Sequence, residues 1–402
     1  MSSQGLLRVL YKRRNELKFI HLSDLHLGKR VNDFSMIEDQ RFILDRILEI
    51  IYEEKPQAVL IAGDVYDKPV PPAEAVRLFD DFISRLSETD SEVFIISGNH
   101  DSAERLSFGS QIMDRQGIHF AGGYDGSTRC FSLDDEYGSV SFYMLPFIKP
   151  VHVRQAFIDD ENAADITTFT DAVGFAVEKM GVDEKERNVL IAHQFCTGAV
   201  RSESEDISIG GLDNVDSSVF KPFDYTALGH LHGPQTVGSD RIRYCGSPLK
   251  YSFSEAEHIK SVTVIEIGEK KDGVCEVFLR TPELIPLRDM KELKGSFEEL
   301  TDKYYYKAIE TSDYMRIILT DEEDVIGALG SLRAIYPNIM RLEYDNKRTR
   351  SAAIVPDAAD SDSRTPLEIF AALYEAQNGK AMDNEQTGLV SSLIEKVWGD
   401  ER

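Results

Sequence analysis

Several short apolar runs in this chain end in groups that bind metals or move protons. KFIHLSDLHLG closes on Asp24 and His26, and AVLIAGDVYD closes on Asp64, with Asp67 three residues on. VFIISGNHD closes on Asn99, His100 and Asp101, NVLIAHQ on His193, and YTALGHLHG on His230 and His232. Six of the nine histidines lie here, counting His21 inside the first run. Polar groups are costly to bury without partners, and in open α/β sheets the carboxyl ends of the strands meet at one crevice. The groups that would meet are oxygen and nitrogen donors with no thiolate, a set that suits Mn²⁺, Fe²⁺ or Zn²⁺ rather than Ca²⁺. It is too large for one ion. Two divalent ions sharing a bridging carboxylate would use it, and such a pair activates water and stabilises an in-line phosphoryl displacement. Gly63, Gly98 and Gly229 each precede a donor, where the chain must turn sharply and let backbone approach. On this reading Asn99 is a ligand through its side-chain oxygen. His100 faces the substrate and neutralises the leaving oxygen, and Asp101 holds and polarises that imidazole.

The elements that must position these groups alternate. From about residue 18 to 280, strand-length apolar runs are separated by helical stretches or loops, the pattern of an α/β layered domain. Ile37–Glu54 carries Ile37, Phe42, Ile43, Ile47, Leu48, Ile50 and Ile51 at near-helical spacing. Ala73–Leu86 reads as a second helix, entered through Pro71 and Pro72. RIRYCGS, KSVTVIEIG and VCEVFLR then follow closely and predict a second, more antiparallel sheet. After Pro282 the texture changes to a small α+β unit, with helices expected at 296–306 and 325–335 and strands at MRIILTD and IMRLEYD. A polar, small-residue stretch reads as a linker. Beyond it Thr365-Pro366-Leu367-Glu368 opens a helix with a capping box. Leu367, Phe370, Ala371 and Tyr374 fall on one face of that helix, Asn378-Gly379 breaks it, and Val390, Leu393, Ile394 and Val397 form another stripe. Two short amphipathic helices cannot bury these faces alone, which predicts a partner.

Composition narrows the classes. No apolar run is long enough to span a bilayer. The basic stretch at the N-terminus has no apolar region after it, so no signal peptide is expected. Cys130, Cys196, Cys245 and Cys275 stand far apart, and a reduced, cytoplasmic setting fits them best. The formal net charge of −25 disfavours long-range attraction to nucleic acid.

D-x-H, G-D-x-x-D, G-N-H-D, a lone His and G-H-x-H, in this order, resemble the calcineurin-like metallophosphoesterases. HLSDLHLGK, GDVYDKPVPP, GNHDS, GHLHGPQ and RYCGSPLKYSFSE are similar, within that family, to the SbcD-type nuclease subunits of bacterial DNA double-strand-break repair complexes. The resemblance implies a two-sheet α/β/β/α sandwich with a small α+β cap domain and a C-terminal helical tail. The corresponding expected boundaries are an extension at 1–17, the phosphoesterase domain at 18–281, the cap at 282–346, a linker at 347–364 and the tail at 365–402. It implies that Asp24, His26 and His232 hold one metal, that Asn99, His193 and His230 hold the other, and that Asp64 bridges them. His100 would be the catalytic histidine and the ions Mn²⁺. In related archaeal and eukaryotic nucleases a histidine stands where this chain has Asp67, which is assigned here to substrate binding. The implied activity is 3′-to-5′ exonuclease action on duplex DNA and endonuclease action on single strands. The implied assembly is a homodimer bound, through 365–398, to an SbcC-type coiled-coil ATPase. The extension at 1–17 departs from the family, and reads as an upstream start or a basic arm touching DNA.

Other residues carry less. Lys149, His152 and Arg154 follow a predicted strand, and Lys149 and Arg154 are candidates for phosphate contacts. His21 reads as structural, Cys196 as a small buried hydrophobe, and RSESED at 201–206 as a solvated loop. Two rival functions remain. A phosphoesterase acting on a small phosphodiester or a phosphoprotein suits the acidic charge. A scaffold with a structural metal site would have no residue left over for chemistry, and His100 is left over.

Overall fold

The computed structural model describes residues 16–205, 213–347, 349, 366–378 and 380–398. The expected N-terminal extension, apart from its last two residues, and most of the expected linker lie outside them, as does Thr365 of the expected capping box. Two compact units divide at Met290/Lys291.

The first unit is built on two six-stranded sheets. Its elements begin with β1 (Leu17–Leu22), α1 (Ile37–Glu54), β2 (Ala58–Ala62), α2 (Ala73–Leu86), β3 (Glu92–Ile96) and β4 (Ile118–Ala121). β5 (Arg129–Asp135), β6 (Gly138–Leu145), α3 (Phe169–Met180), β7 (Arg187–His193) and β8 (Tyr225–Gly229) follow. β9 (Gln235–Val237), β10 (Ser239–Tyr244), β11 (Thr263–Lys271) and β12 (Val274–Arg280) complete the two large sheets. The first sheet runs β12-β11-β1-β2-β3-β4, with β1 to β4 parallel and β11 and β12 antiparallel. The second runs β9-β10-β8-β7-β6-β5, with β6, β7, β8 and β10 parallel.

β2, β7 and β8 are buried along their whole length, as expected for parallel strands covered on both faces. Phe19, Leu60 and Phe94 of the first sheet share one apolar core with Phe142, Val189 and Tyr225 of the second. Leu190, Ala192 and Leu228 face the other way and pack with Val173 and Ala176 of α3. α1 and α2 match their expected bounds and bury Ile43, Ile47, Ile51, Leu78, Phe82 and Leu86. The unit is the mixed α/β fold with two large sheets that was expected.

One detail is corrected. RIRYCGS and the two strands after it do not form one sheet. β10 joins the second sheet by parallel pairing with β8, whereas β11 and β12 extend the first antiparallel to β1. The inter-unit boundary also falls later than 281/282. Leu284 N–H bonds the Lys260 carbonyl (2.8 Å), Arg288 reaches Asp39 (2.9 Å), and Met290 is buried, so this stretch belongs to the first unit.

The second unit has a three-stranded sheet of Met290–Gly295, whose first residue closes the first unit, Tyr314–Leu319 and Ile339–Tyr344, the last two parallel. Leu300, Met315, Ile317, Leu332, Tyr336 and Ile339 form its core. The first strand, MKELKG, was not expected, because its alternating charges give no apolar run. The helix expected at 296–306 is two pieces, Phe297–Thr301 and Lys303–Tyr306. Asp302 leaves the helical conformation between them, and its carboxylate caps the second by accepting from the Tyr304 and Tyr305 amides. That expected at 325–335 is confined to Ala328–Arg333. Pro366–Asn378 and Asn384–Trp398 are the two tail helices, with Phe370, Leu373, Leu389 and Leu393 exposed.

Candidate metal centre

The donors stand at the ends of β1, β2, β3, β7 and β8, the first three strands from one sheet and the last two from the other. The chain makes room for them by unusual backbone. Asp24, His26, Asp64 and His230 all take positive φ, at 54°, 44°, 51° and 101°. Non-glycine residues rarely adopt that region, and clustered strain of this kind marks functional sites. The glycines act in two ways. Gly63 has φ +86°, so a turn requires it, whereas Gly229 is required by close approach: a Cβ there would lie 1.8 Å from the Ala62 carbonyl oxygen. The two sheets touch at this point, and the His193 Nδ1–H donates to that same carbonyl at 2.8 Å.

Two donor groups emerge. In the first, His26 Nε2 is 3.0 Å from His232 Nε2, and both close with Asp24 within 4.8 Å. In the second, the Asn99 side-chain oxygen lies 3.0 Å from His193 Nε2 and 2.9 Å from His230 Nδ1. Asp64 stands between them, with Oδ2 3.3 Å from His193 Nε2 and 3.7 Å from His26 Nε2. Adjacent ligands on a divalent ion with bonds of about 2.1 Å are separated by roughly 3 Å, which is the spacing found here. Two imidazole nitrogens facing each other at 3.0 Å need a cation or a proton between them. The donor set therefore fits divalent metals.

Electrostatics agree. Burial pushes the Asp24 carboxyl up to about 6, against the pull of His193 and His232. Burial also takes His26 well below the usual imidazole range, and burial with the neighbouring His193 lowers His230 to about 3. For His193 burial works against the charged ring, but the Asp64 carboxylate prevails and raises it to about 9. Asp64 is held well below the carboxylate range in turn, because His193, His26 and His100 outweigh the effect of its burial. Such divergent values within a few ångströms characterise functional sites. Ligands must be deprotonated to bind a metal, so an ion would displace the proton at His193.

His100 is half-buried, and its backbone N–H donates to Asp64 Oδ1 at 2.9 Å. Its Nδ1 donates to the Asp67 carbonyl at 3.1 Å, and its Nε2 lies 4.0 Å from Asp64 Oδ2. Asp101, expected to hold the imidazole, meets backbone donors. Asp101 accepts from the amides of Val65 (3.1 Å), Tyr66 (2.9 Å) and Gly98 (2.9 Å), so its carboxylate braces the two metal loops against each other. The ring of His100 is bonded to the Asp67 carbonyl. A carboxylate at the end of a tight turn meets several converging backbone donors, and these claim it first. The Asp67 side chain pairs with Lys29 (2.7 Å) and approaches His26 Nδ1 (3.7 Å), beside the ligands.

Lys149 is exposed, with Nζ 5.7 Å from the centre of the Phe147 ring, which in turn packs edge-on against His193. The guanidinium of Arg154, the other candidate for a phosphate contact, donates to the Ile166 carbonyl. His21 is structural, bonded to the Tyr225 hydroxyl (3.0 Å) and the Leu228 carbonyl (3.2 Å). Cys196 is buried, which pushes its thiol up to about 12.

The loop expected to be solvated departs most from its reading. Glu205 is buried and accepts from the His232 amide at 2.6 Å, and Ser204 Oγ lies 2.6 Å from His232 Nδ1. Arg201 stacks 3.6 Å over Phe195. Also missed were Gln40, whose side-chain amide donates to the His26 carbonyl (2.7 Å), and Lys260, which donates to the His232 carbonyl (2.8 Å). A polar stretch such as RSESED carries no periodic signal, so only its tertiary placement reveals it.

Such a fold, with two donor groups flanking one carboxylate at facing strand ends, defines a metal-dependent phosphoesterase. Comparison with known proteins agrees. The family model for calcineurin-like phosphoesterases matches residues 17–234. That for the SbcD C-terminal region, described as the type 5 capsule protein repressor C-terminal domain, matches 286–378. A relative from Staphylococcus epidermidis, the SbcD-type nuclease of an SbcCD complex, is 34% identical over 387 residues, covering 94% of this chain and 98% of the relative. A dimetal phosphatase crystal structure from Danio rerio aligns over 68% of this chain and 98% of its own, at 12% identity and a TM-score of 0.39. The chain belongs to the calcineurin-like phosphoesterases and, within them, to the SbcD-type nuclease subunits. It is a hydrolase of phosphodiester bonds, and the fold implies divalent metal cofactors.

Proposed function

We propose that the protein is the nuclease subunit of a DNA double-strand-break repair complex, cutting DNA phosphodiesters with two Mn²⁺ ions. Asp24, His26 and His232 would hold one ion, Asn99, His193 and His230 the other, and Asp64 would bridge them. Bound there, the ions would supply an activated water and charge neutralisation at the phosphate. The observation that carries the reading is His100. Its Nδ1–H is fixed on the Asp67 carbonyl (3.1 Å), which turns Nε2 to the rim of the donor cluster. A protonated His100 can donate from Nε2 to the leaving oxygen while Nδ1 keeps its bond to the carbonyl. A structural metal site has no use for such a group. Lys149, beside the Phe147 ring that packs on His193, would meet a phosphate there, and Asp67, paired with Lys29, would contact substrate beside His26.

The reading extends to assembly. We assign 3′-to-5′ exonuclease and single-strand endonuclease action, a homodimer, an SbcC-type ATPase engaged through 365–398, and a cytoplasmic setting. The relative's name, which places it in SbcCD, supports the partner, and exposed Phe370, Leu373, Leu389 and Leu393 on the tail helices support the docking segment. No helix of the described residues is long and apolar enough to cross a membrane. With a net charge of −25, the protein alone is expected to hold DNA weakly, the partner supplying much of the grip.

The test is hydrolysis of circular single-stranded DNA with Mn²⁺, Mg²⁺ or EDTA, beside p-nitrophenyl phosphate and a cyclic nucleotide. Manganese-dependent cutting that disappears in Asp64→Asn and His100→Ala supports the nuclease. Fast turnover of the small phosphates with DNA untouched transfers the site to small substrates, the reading that the acidic charge favours.

A further inference from the structure

Behind His232 runs a line of polar groups, half-buried at Ser204 and buried beyond it. Lys260 is 5% exposed, and its Nζ lies 2.6 Å from Oε2 of Glu255, which is wholly buried. Oε1 of Glu255 is 2.5 Å from Ser204 Oγ, and Ser204 Oγ is 2.6 Å from His232 Nδ1. A carboxylate paired with an ammonium only accepts, whereas a serine hydroxyl has one proton to give. If that proton pointed to His232 or to Ser202, two oxygens would face each other at 2.5 Å with no hydrogen between them. The proton therefore goes to Glu255, and Ser204 accepts from His232, so Nδ1 carries the imidazole hydrogen. In a neutral ring Nε2 then bears the lone pair. Nε2 is the atom that faces His26 at 3.0 Å.

We propose that Ser204, Glu255 and Lys260 are positioning residues for the metal site of Asp24, His26 and His232, setting the tautomer and ring angle of His232. The inference rests on the metal assignment proposed above. The backbone of His232 is held by the same segments, its carbonyl by Lys260 (2.8 Å) and its amide by Glu205 (2.6 Å). The other site is arranged differently. His193 takes its orientation from the Ala62 carbonyl at the end of β2. Ser204 bonds a ligand of the first site, so removing its hydroxyl should weaken that site and not the other.

Mn²⁺ titration of the full chain by calorimetry tests this with Ser204→Val, Ser204→Ala and Ser204→Thr. Binding of no ion by the wild type would overturn the metal assignment itself. Given two ions in the wild type, Ser204→Val and Ser204→Ala should weaken one site by about 10–100-fold and leave the other unchanged. Ser204→Thr, which keeps the hydroxyl, should retain both. Wild-type affinities at both sites in the Val and Ala variants would overturn the proposal. Equal loss at both sites would also overturn it, as the pattern of a merely structural role. Nitrogen-15 shifts of His232 give an independent reading: an Nδ1–H ring in the wild type, and a tautomer mixture in Ser204→Ala. An unchanged ring in that variant would count against the proposal.

Discussion

The two units treat charge in opposite ways. The first takes it inside: Asp24, His26, Asp64, His193, Glu255 and Lys260 are all nearly inaccessible. The second keeps most of its ion pairs nearer the surface, with Arg316 bonded to Glu343 (2.6 Å) and Lys294 to Asp345 (2.5 Å) around an apolar core. It buries a single ion-paired carboxylate among its described residues, Asp313 with Lys291 (2.6 Å). Burying a charge costs several kcal/mol unless partners offset it, so a fold under no other demand follows the second pattern. The first unit's departure from it, at strand ends and with strained backbone, is the physical mark of the site. The contrast also appears beside β1. His21 is buried with both ring nitrogens bonded to protein, whereas Nδ1 of His26, also buried, has no hydrogen-bond partner among the described residues.

The contrast can be tested from its strongest consequence to its weakest. Asp64→Asn should reduce hydrolysis by about 10³-fold or more, beyond the 10²–10³ seen for a single stabilising donor, because both donor groups meet at Asp64. Retention of a tenth of the activity would remove Asp64 from the centre. His100→Ala should lower kcat by about 10²–10³-fold while the protein still takes up its metals. If metal uptake falls with kcat, His100 is a ligand and not a proton donor.

Mn²⁺ at a hundred times its Kd should stabilise the fold by about 2.7 kcal/mol, read as a higher Tm than in EDTA. An unchanged Tm would mean that the buried charges need no ion. His21 gives a smaller effect. Burial lowers its ring to about 3 from the usual 6.5, so its share of stability is complete above about pH 6.5 and is lost as pH falls towards 3. The stability difference between wild type and His21→Gln should shrink on going from pH 7 to 5, by at most about 1.4 kcal/mol per pH unit. A difference that does not vary with pH would refute the assignment. Arg316→Ala in the second unit should change stability by about 1 kcal/mol or less, with turnover of small phosphates unaltered. A larger loss would show that the second unit depends on its charges as the first does.

Much of this was legible in the chain. The long periodic stretches predicted α1 and α2 with their observed bounds, because their apolar spacing dictates which face is buried. Each ligand candidate ends a strand, as read, because an apolar run that closes on Asp, Asn or His leaves a polar group at the edge of the core. What escaped was carried by non-periodic sequence. MKELKG alternates charge and hides a strand, RSESED looks like solvent-facing loop and sends Ser204 and Glu205 to His232, and the strands after residue 239 show no preference between sheets.

The sequence by itself determined the donor types, their order and their attachment to strand ends, since these follow from residue identity and local periodicity. Only the tertiary structure decided which donors meet. The pairing of Asn99 with His193 and His230, the bonds of Asp101 to the Val65 and Tyr66 amides, and the service of Glu255 and Lys260 to His232 join residues far apart in the chain. Such meetings depend on how two sheets stack at the Ala62 carbonyl, a packing contact that no local pattern encodes.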